Sequence, residues 1–345
     1  MNAEPVLIDF YRYPPIGTED WRYAYTTATI RALEMQLLSR ALLSDLINAD
    51  RFEAVAEMLS QTDYAISPQT ADGEIEAMLL ECRSRIRRQF VHWMLDPEIV
   101  RMFRCREDFA NMRLALRRVV IDRPLGTDYS SDGAIAIEEF EEIFQEENYE
   151  RLPECMQEAV EAAVLGYYKN KDIREIDYAI DRAQALWRIQ RYKEIGSEFG
   201  LSMSRIRIDL YNLRTLMRLK FAQRDESTYF LHEGFVERDR FVQGLDLNYD
   251  SLAALFFATP YFELVEEGTR YFRDRQSFLA LERGCEDYLM GFLKTTRYLI
   301  AGCQPVIAYL LMKEAEIRTV RMILTGKKNG LEPSLMMDRL GAWIE

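Results

Sequence analysis

Three stretches of this chain echo one another, and no other feature limits the possible folds as sharply. "EDFANMR" (107–113) and "IDLYNLR" (208–214) share Asp-x-x-Asn-x-Arg, which sets Asp108, Asn111 and Arg113 against Asp209, Asn212 and Arg214. A third version, "EIRTVR", puts Glu316, Thr319 and Arg321 in the same places. Upstream of each lies an apolar–acidic pair: Ile75–Glu76, Ile176–Asp177 and Leu281–Glu282. From that acid to the next the spacings are 32, 32 and 34 residues. Further upstream stands a tyrosine, in "QTDY" (Tyr64), "EENY" (Tyr149) and "ATPY" (Tyr261). Each signal is short, but three signals recurring three times in one order indicate an internal repeat. The expected division is three similar helical units: 16–125 with an N-terminal extension 1–15, 126–231, and 232–345. The middle unit is the least regular, since no Thr precedes its tyrosine.

The repeated unit is expected to be helical and the fold class all-α. Leu, Glu, Arg and Met, all good helix formers, are abundant, while 10 Pro and 16 Gly in 345 residues are few for an all-β chain. Expected breaks fall at "SPQTADGE" (67–74), "DRPLGTDYSSDG" (122–133), "GLSMS" (200–204), "HEGF" (232–235) and "KKNGLEPS" (327–334). Asp96–Pro97 and Gln304–Pro305 read as helix starts, because proline is tolerated in the first turn. "TGKKNG" reads as a helix end, with Gly326 or Gly330 as the left-handed cap and lysines at the negative end of the dipole.

Charge and residue counts exclude several functions. A formal net charge of −13 argues against nucleic acid, whose phosphates need a cationic surface, and against a broad basic face for anionic lipid. It is compatible with a basic protein partner. Five dispersed cysteines and two histidines, without CxxC or Cys/His spacing, suit reduced thiols rather than zinc or a His-based triad. The longest uncharged run, Tyr298 to Met312, falls short of the ~20 apolar residues that span a bilayer. The opening "MNAEPVLIDFYRYPP" lacks the basic and apolar regions of a signal peptide. There is no GxxxxGK[ST] phosphate loop and no DDxxD metal cluster. No cofactor and no small-molecule substrate are expected.

The last long helix poses the sharpest question. Between Pro305 and Gly330, apolar residues spread around most of a helical wheel, which predicts burial on several sides. Yet Lys313, Glu314, Glu316, Arg318 and Arg321 lie in its middle. Glu314, Arg318 and Arg321 form one stripe able to pair along the helix. Glu316 faces apolar neighbours and needs a partner, expected to be an arginine of an adjacent helix. A catalytic role would need a second carboxylate or base at the same place, and three copies argue for scaffolding instead. Asp108, Arg113, Asp209, Arg214, Glu316 and Arg321 are therefore the candidate inter-helix charge junctions, with arginine suited to bidentate carboxylate pairing.

"PVIAYLLMKEAEIRTVRMILTGKKNGL" resembles the C-terminal signature of the C subunits of the V-type and A-type ATPases, the family that includes the eukaryotic d subunit. "LSQTDY", "FFATPY", the Asp-x-x-Asn-x-Arg helices and "RALEMQLL" (31–38) are similar to that family too. The resemblance covers roughly residues 20–345 and is strongest in the last 50; "FYRYPPIGTED" has no counterpart in it. It implies three similar helical domains around a pseudo-threefold axis in a funnel shape. It also implies a non-catalytic part of the central rotor, peripheral on the cytoplasmic face, between the membrane proteolipid ring and the central stalk subunits. A helical-repeat adaptor for a soluble partner and an all-helical metal-dependent enzyme are the alternatives; the first predicts an open solenoid and the second converging carboxylates.

Overall fold

The computed structural model describes residues 13–121 and 129–341, and every regular element among them is helical. In chain order these are α1 (Ala24–Glu34), α2 (Arg40–Asn48), α3 (Phe52–Leu59), α4 (Asp72–Trp93), α5 (Pro97–Val120), α6 (Ile137–Gln145), α7 (Glu154–Asn170) and α8 (Arg174–Glu194). They continue with α9 (Glu198–Phe221), α10 (Arg238–Asp246), α11 (Tyr249–Leu252), α12 (Phe262–Arg275), α13 (Leu279–Lys294), α14 (Cys303–Lys328) and α15 (Pro333–Arg339). Contacts divide the chain into two compact units. One comprises Met1–Leu95, Leu216–Gln223 and Arg240–Glu345; the other comprises Asp96–Thr215 and Arg224–Asp239. The expected extension 1–15 lies mostly outside the described residues, as does the 122–128 part of the expected second break.

In the first unit α14 is the central element. Every residue from Gln304 to Ile317 is buried, because α4, α1, α2 and α13 pack around this helix. The start of α14 is tied to the chain's beginning: Gln304 Nε2 donates to the carbonyls of Ile16 and Thr18, both at 3.0 Å, and Asp20 N–H donates to Ala301 O at 3.1 Å. Its end is a Schellman turn. Gly330 has φ +66°, Leu331 N–H reaches Gly326 O at 2.8 Å, and Gly330 N–H reaches Lys327 O at 3.2 Å. Of the two glycines expected to cap, Gly330 takes the left-handed position. Gly326 is instead a close-approach site, where an added Cβ would lie 2.6 Å from Met336 Sδ.

The second unit is built on the α7–α8 hairpin, with α5 packed on α8, α7 and α6. Its core holds Phe109, Met112, Phe140, Ile143, Met156, Val160, Ile176 and Ile180. The break expected at 200–204 does not occur, since α9 runs straight through it. Gly200 serves packing rather than termination. A Cβ there would lie 2.1 Å from Cε1 of Tyr192, whose ring the preceding helix presses against this turn.

Three helices share one design. α2, α6 and α10 each have nine residues, and the fourth residue of each, Leu43, Phe140 and Phe241, is completely buried. The seventh is Leu46, Ile143 or Gly244, also buried, so a single apolar stripe at helical spacing faces the core in all three. Gly244 takes the place of a side chain because Leu216 Cδ2 would sit 2.8 Å from its Cβ.

Gly200→Ala separates propensity from packing. Propensity alone favours alanine by ~1 kcal/mol in a helix. Overpacking against the Tyr192 ring is expected to reverse the sign and cost about 1–3 kcal/mol. A lowered urea midpoint relative to wild type checks this; a raised midpoint would refute the packing account.

Candidate functional site

Asp108, Asp209 and Glu316 are 2%, 0% and 3% exposed, so each carboxylate must find its partners inside the protein. Each one grips the backbone just ahead of a nine-residue helix. Asp108 accepts Ala134 N–H at 3.0 and 3.1 Å through its two oxygens and Ile135 N–H at 3.2 Å. Asp209 accepts Phe235 N–H and Val236 N–H, both at 3.1 Å. Glu316 accepts Leu38 N–H at 2.5 Å. Ile135, Val236 and Leu38 all stand two residues before the first helical residue of α6, α10 and α2. There the carboxylate satisfies amides that have no intrahelical partner and places negative charge near the positive end of the helix dipole.

The asparagine of the motif makes a second grip. Asn111 pairs both ways with the backbone of Ser130, accepting its N–H at 2.8 Å and donating to its carbonyl at 2.9 Å. Asn212 repeats this on Leu231, at the same two distances and the same sequence separation of 19. In the third copy Thr319 bonds to Ala315 O of its own helix. The reason is visible at the other end: the position equivalent to Ser130 and Leu231 is Leu33, which lies inside α1 and already has helical hydrogen bonds. A helix there needs no amide clamp.

Two glycines outside the sequence-predicted set complete the grip. Gly133 and Gly234 each follow their aspartate by 25 residues, and an added Cβ at either would lie 2.1 Å from the aspartate Oδ1. The shared spacing of "SDG" and "HEG" from the two aspartates is the signal that marks them.

Two of the three arginines, Arg113 and Arg321, reach acids of neighbouring helices. Arg113 pairs with Asp181 and lies 3.7 Å from Asp177, which Arg117 also grips. Arg321 Nη2 lies 2.8 Å from Glu76, and Arg218 lies 2.8 Å from Glu282. The recurrent acids Glu76, Asp177 and Glu282 are thus partners for arginines of the long helices. Beside the clamp from each buried carboxylate to backbone N–H groups lies a second layer, from arginine to acid. Arg214 holds the place after Asp209 that Arg113 holds after Asp108.

The charges inside α14 resolve in the same way. Two charges of the stripe pair across helices: Glu314 to Arg87 of α4 at 2.8 Å, and Arg318 to Glu286 of α13 at 2.7 Å. Among the described residues Glu316 takes no arginine. Its Oε1 accepts Tyr64 O–H at 2.7 Å and Lys313 Nζ at 2.7 Å, and Lys313 also reaches Asp63 at 3.0 Å. Burial alone would push the Lys313 ammonium down, but Glu316 and Asp63 outweigh it and hold the group above its ordinary pKa. Burial, then the Glu316 charge, pushes the Tyr64 phenol up, so it stays a donor. Tyr64 is set by a Thr-turn, its N–H on Thr62 Oγ1 at 3.1 Å, and Tyr261 repeats this on Thr259 at 3.3 Å. Tyr149, with no such threonine, packs instead on Phe144.

For Asp108, burial raises the carboxyl pKa although the Ala134 and Ile135 amides pull it down. These junctions spend their carboxylates on backbone amides and on paired cations. Among the described residues no group of three His, Cys, Asp or Glu side chains is arranged to hold a metal ion, and no helix is long and apolar enough to cross a membrane. What the arrangement does chemically is to fix where a helix starts.

Comparison with known proteins assigns this architecture. The pattern of the ATP synthase (C/AC39) subunit family matches residues 26–339. The C subunit of the V-type sodium ATPase of Enterococcus hirae is 23% identical over 317 residues, covering 90% of this chain and 95% of the relative. The C subunit of the A-type ATP synthase of Methanosarcina mazei is 22% identical over 346 residues, covering 92% of each chain. That of Methanocaldococcus jannaschii is 20% identical over 346 residues, covering 90% of this chain and 84% of its own.

Glu316→Ala takes one of its two carboxylates from buried Lys313 and leaves the Leu38 N–H without its acceptor, and a loss of about 3–5 kcal/mol is expected in denaturant unfolding. A loss below ~1 kcal/mol would show that the grip is incidental. Asp108 yields a pH test. Its folded pKa lies above the unfolded one, so its contribution is full below the unfolded pKa and is lost as pH rises through the folded pKa. Wild type should therefore lose stability relative to Asp108→Asn across that interval, read from paired urea midpoints; a constant difference would contradict the shift.

Proposed function

Because the chain belongs to the ATP synthase (C/AC39) subunit family, we propose that it is the non-catalytic rotor piece of a V/A-type ATPase, joining the membrane proteolipid ring to the central stalk subunits. In this reading ATP is turned over elsewhere in the complex, and this chain makes ring and stalk rotate together. It sits peripherally on the cytoplasmic face of the membrane. The observation that carries the proposal is the family match along nearly the whole chain, 26–339, together with relatives that are themselves named as C subunits of such complexes.

The junction geometry supports the mechanical part. With units at 16–125, 126–231 and 232–345, the Asp108 clamp runs from the first unit to the second, and the Asp209 clamp from the second to the third. The Glu316 clamp runs from the third back to the first. Three equivalent junctions in a cycle suit a closed, pseudo-threefold arrangement in a funnel, where an open solenoid adaptor would leave its last repeat without a return contact. In this role Asp108, Asp209 and Glu316, backed by Arg113, Arg214 and Arg321, hold the units in register. A torque-bearing part needs contacts that resist slipping, and directional hydrogen bonds to backbone supply register even where their net stabilisation is small.

The test is capture and coupling. The tagged chain, drawn from membranes of its own cell, is expected to bring down ring and stalk subunits together. Vesicles lacking it should keep ATP hydrolysis in the catalytic head while losing ATP-driven ion uptake. Recovery of a soluble partner without ring or stalk, or unimpaired uptake in its absence, would overturn the proposal.

A further inference from the structure

The third clamp differs from the other two in how the chain reaches it. From Asp108 to Ile135 and from Asp209 to Val236 the polypeptide itself runs on, across the same separation of 27 residues. Leu38 and Glu316 stand 278 residues apart, and α2 precedes α14 in the chain, so no such run joins them. The asparagine grip is missing there too, since Thr319 bonds within its own helix. Another set of contacts takes its place, all within the first compact unit. The segment from Tyr13 to Arg31 lies along the end of α13 and the start of α14. The Tyr13 ring packs on Tyr288 at 5.2 Å and presses on Gly291, where an added Cβ would lie 2.0 Å from the phenol oxygen. Gln304 Nε2 holds the carbonyls of Ile16 and Thr18, and Gly17 turns between them at φ +80°. Glu19 Oε1 accepts Ile300 N–H at 3.0 Å, and Arg31 Nη2 donates to the carbonyls of Thr296 at 2.7 Å and Leu299 at 3.2 Å.

We propose that residues 13–31 are a clasp that stands in for the missing chain connection at the third clamp, and that this clamp is the one of the three that opens and closes reversibly. A short peptide tether keeps Ala134 and Phe235 close to their aspartates even after the hydrogen bonds break, because closing a short loop again costs little entropy. Leu38 has no such tether to Glu316. What returns it is the clasp, whose hydrogen bonds are each of modest net strength and can release together. The carboxylates differ in the same sense. Asp108 gives both oxygens to the backbone amides of Ala134 and Ile135. Glu316 also holds Tyr64 O–H and Lys313 Nζ, so the departure of the Leu38 amide does not strand its charge. Local opening draws on the least costly contacts of a fold, and both the missing tether and the retained partners place them here. Residues 13–20 of the clasp lie ahead of the family match, which begins at 26. The inference depends on the clamps alone, not on the rotor reading.

The experiment is hydrogen–deuterium exchange of the full-length chain, read by mass on peptides. In wild type, peptides covering 16–20, 296–302 and the Leu38 amide are expected to exchange as one group. They should do so sooner than peptides holding the Ala134–Ile135 or Phe235–Val236 amides. Two variants then load the clasp from opposite sides. Gly17→Ala puts a side chain at a left-handed φ, and Gly291→Ala displaces the Tyr13 ring while favouring the helix that carries it. Each should quicken exchange about five- to tenfold on the half it does not alter, 296–302 for Gly17→Ala and 16–20 for Gly291→Ala. The Leu38 amide should quicken in both, and the two aspartate clamps in neither. Acceleration confined to the altered half, or a Leu38 amide that keeps its protection in both variants, would overturn the proposal. So would an aspartate clamp that opens before Leu38 in wild type, a result that decides the matter even if a variant folds poorly.

Discussion

A carboxylate held in the core and turned toward backbone N–H groups at the start of the next helix is the contact on which the rest of this structure depends. Its strength lies in asymmetry. Formed, the bond is worth little more than the water it replaces; broken, it leaves a buried charge and buried amides with no partner. Because the amides belong to fixed positions just ahead of α2, α6 and α10, the clamp specifies the register of each nine-residue helix as well as its presence. Gly133 and Gly234 show how closely the backbone must approach: no side chain fits between it and the aspartate.

The charges of α14 follow from the same constraint. A helix enclosed on several sides has no solvent to accept its polar groups, so each must find a partner in protein. Glu316 finds Leu38, Tyr64 and Lys313; Glu314 finds Arg87; Lys328 reaches Thr70 and Asp72, and Lys327 the carbonyl of Ala49. Partners come from α4, from the chain between α3 and α4, and from the residues on either side of α2. A catalytic cluster would concentrate such groups around an opening, whereas here they are spent on holding neighbouring helices. That distribution suits the proposed coupling role, in which stiffness matters more than chemistry.

Much of this was legible in the residues. The helical class followed from helix formers and sparse Gly and Pro, and the threefold echo of acid and arginine singled out Asp108, Asp209 and Glu316, whose carboxylates accept backbone N–H groups ahead of α6, α10 and α2. Partners were harder to see. Glu76, Asp177 and Glu282 stood out as recurrent acids, but nothing in their spacing said that Arg321, Arg117 and Arg218 would meet them. Gly200 looked like a break because glycine usually interrupts helices; only the Tyr192 ring beside it explains why it sits inside one.

The sequence by itself determined which side chains recur and at what separation, since periodicity is a property of the chain alone. It determined that α14 would be buried and that its charges would need partners, because burial of charge has a cost whatever the neighbours are. Tertiary structure alone decided who those partners are. Leu38 and Glu316 lie 278 residues apart, and their contact depends on α14 packing beside α1 and α2, which no local preference encodes. It also decided why the third copy carries Thr319 where the others carry asparagine: α1 had already satisfied the backbone that an asparagine would have held.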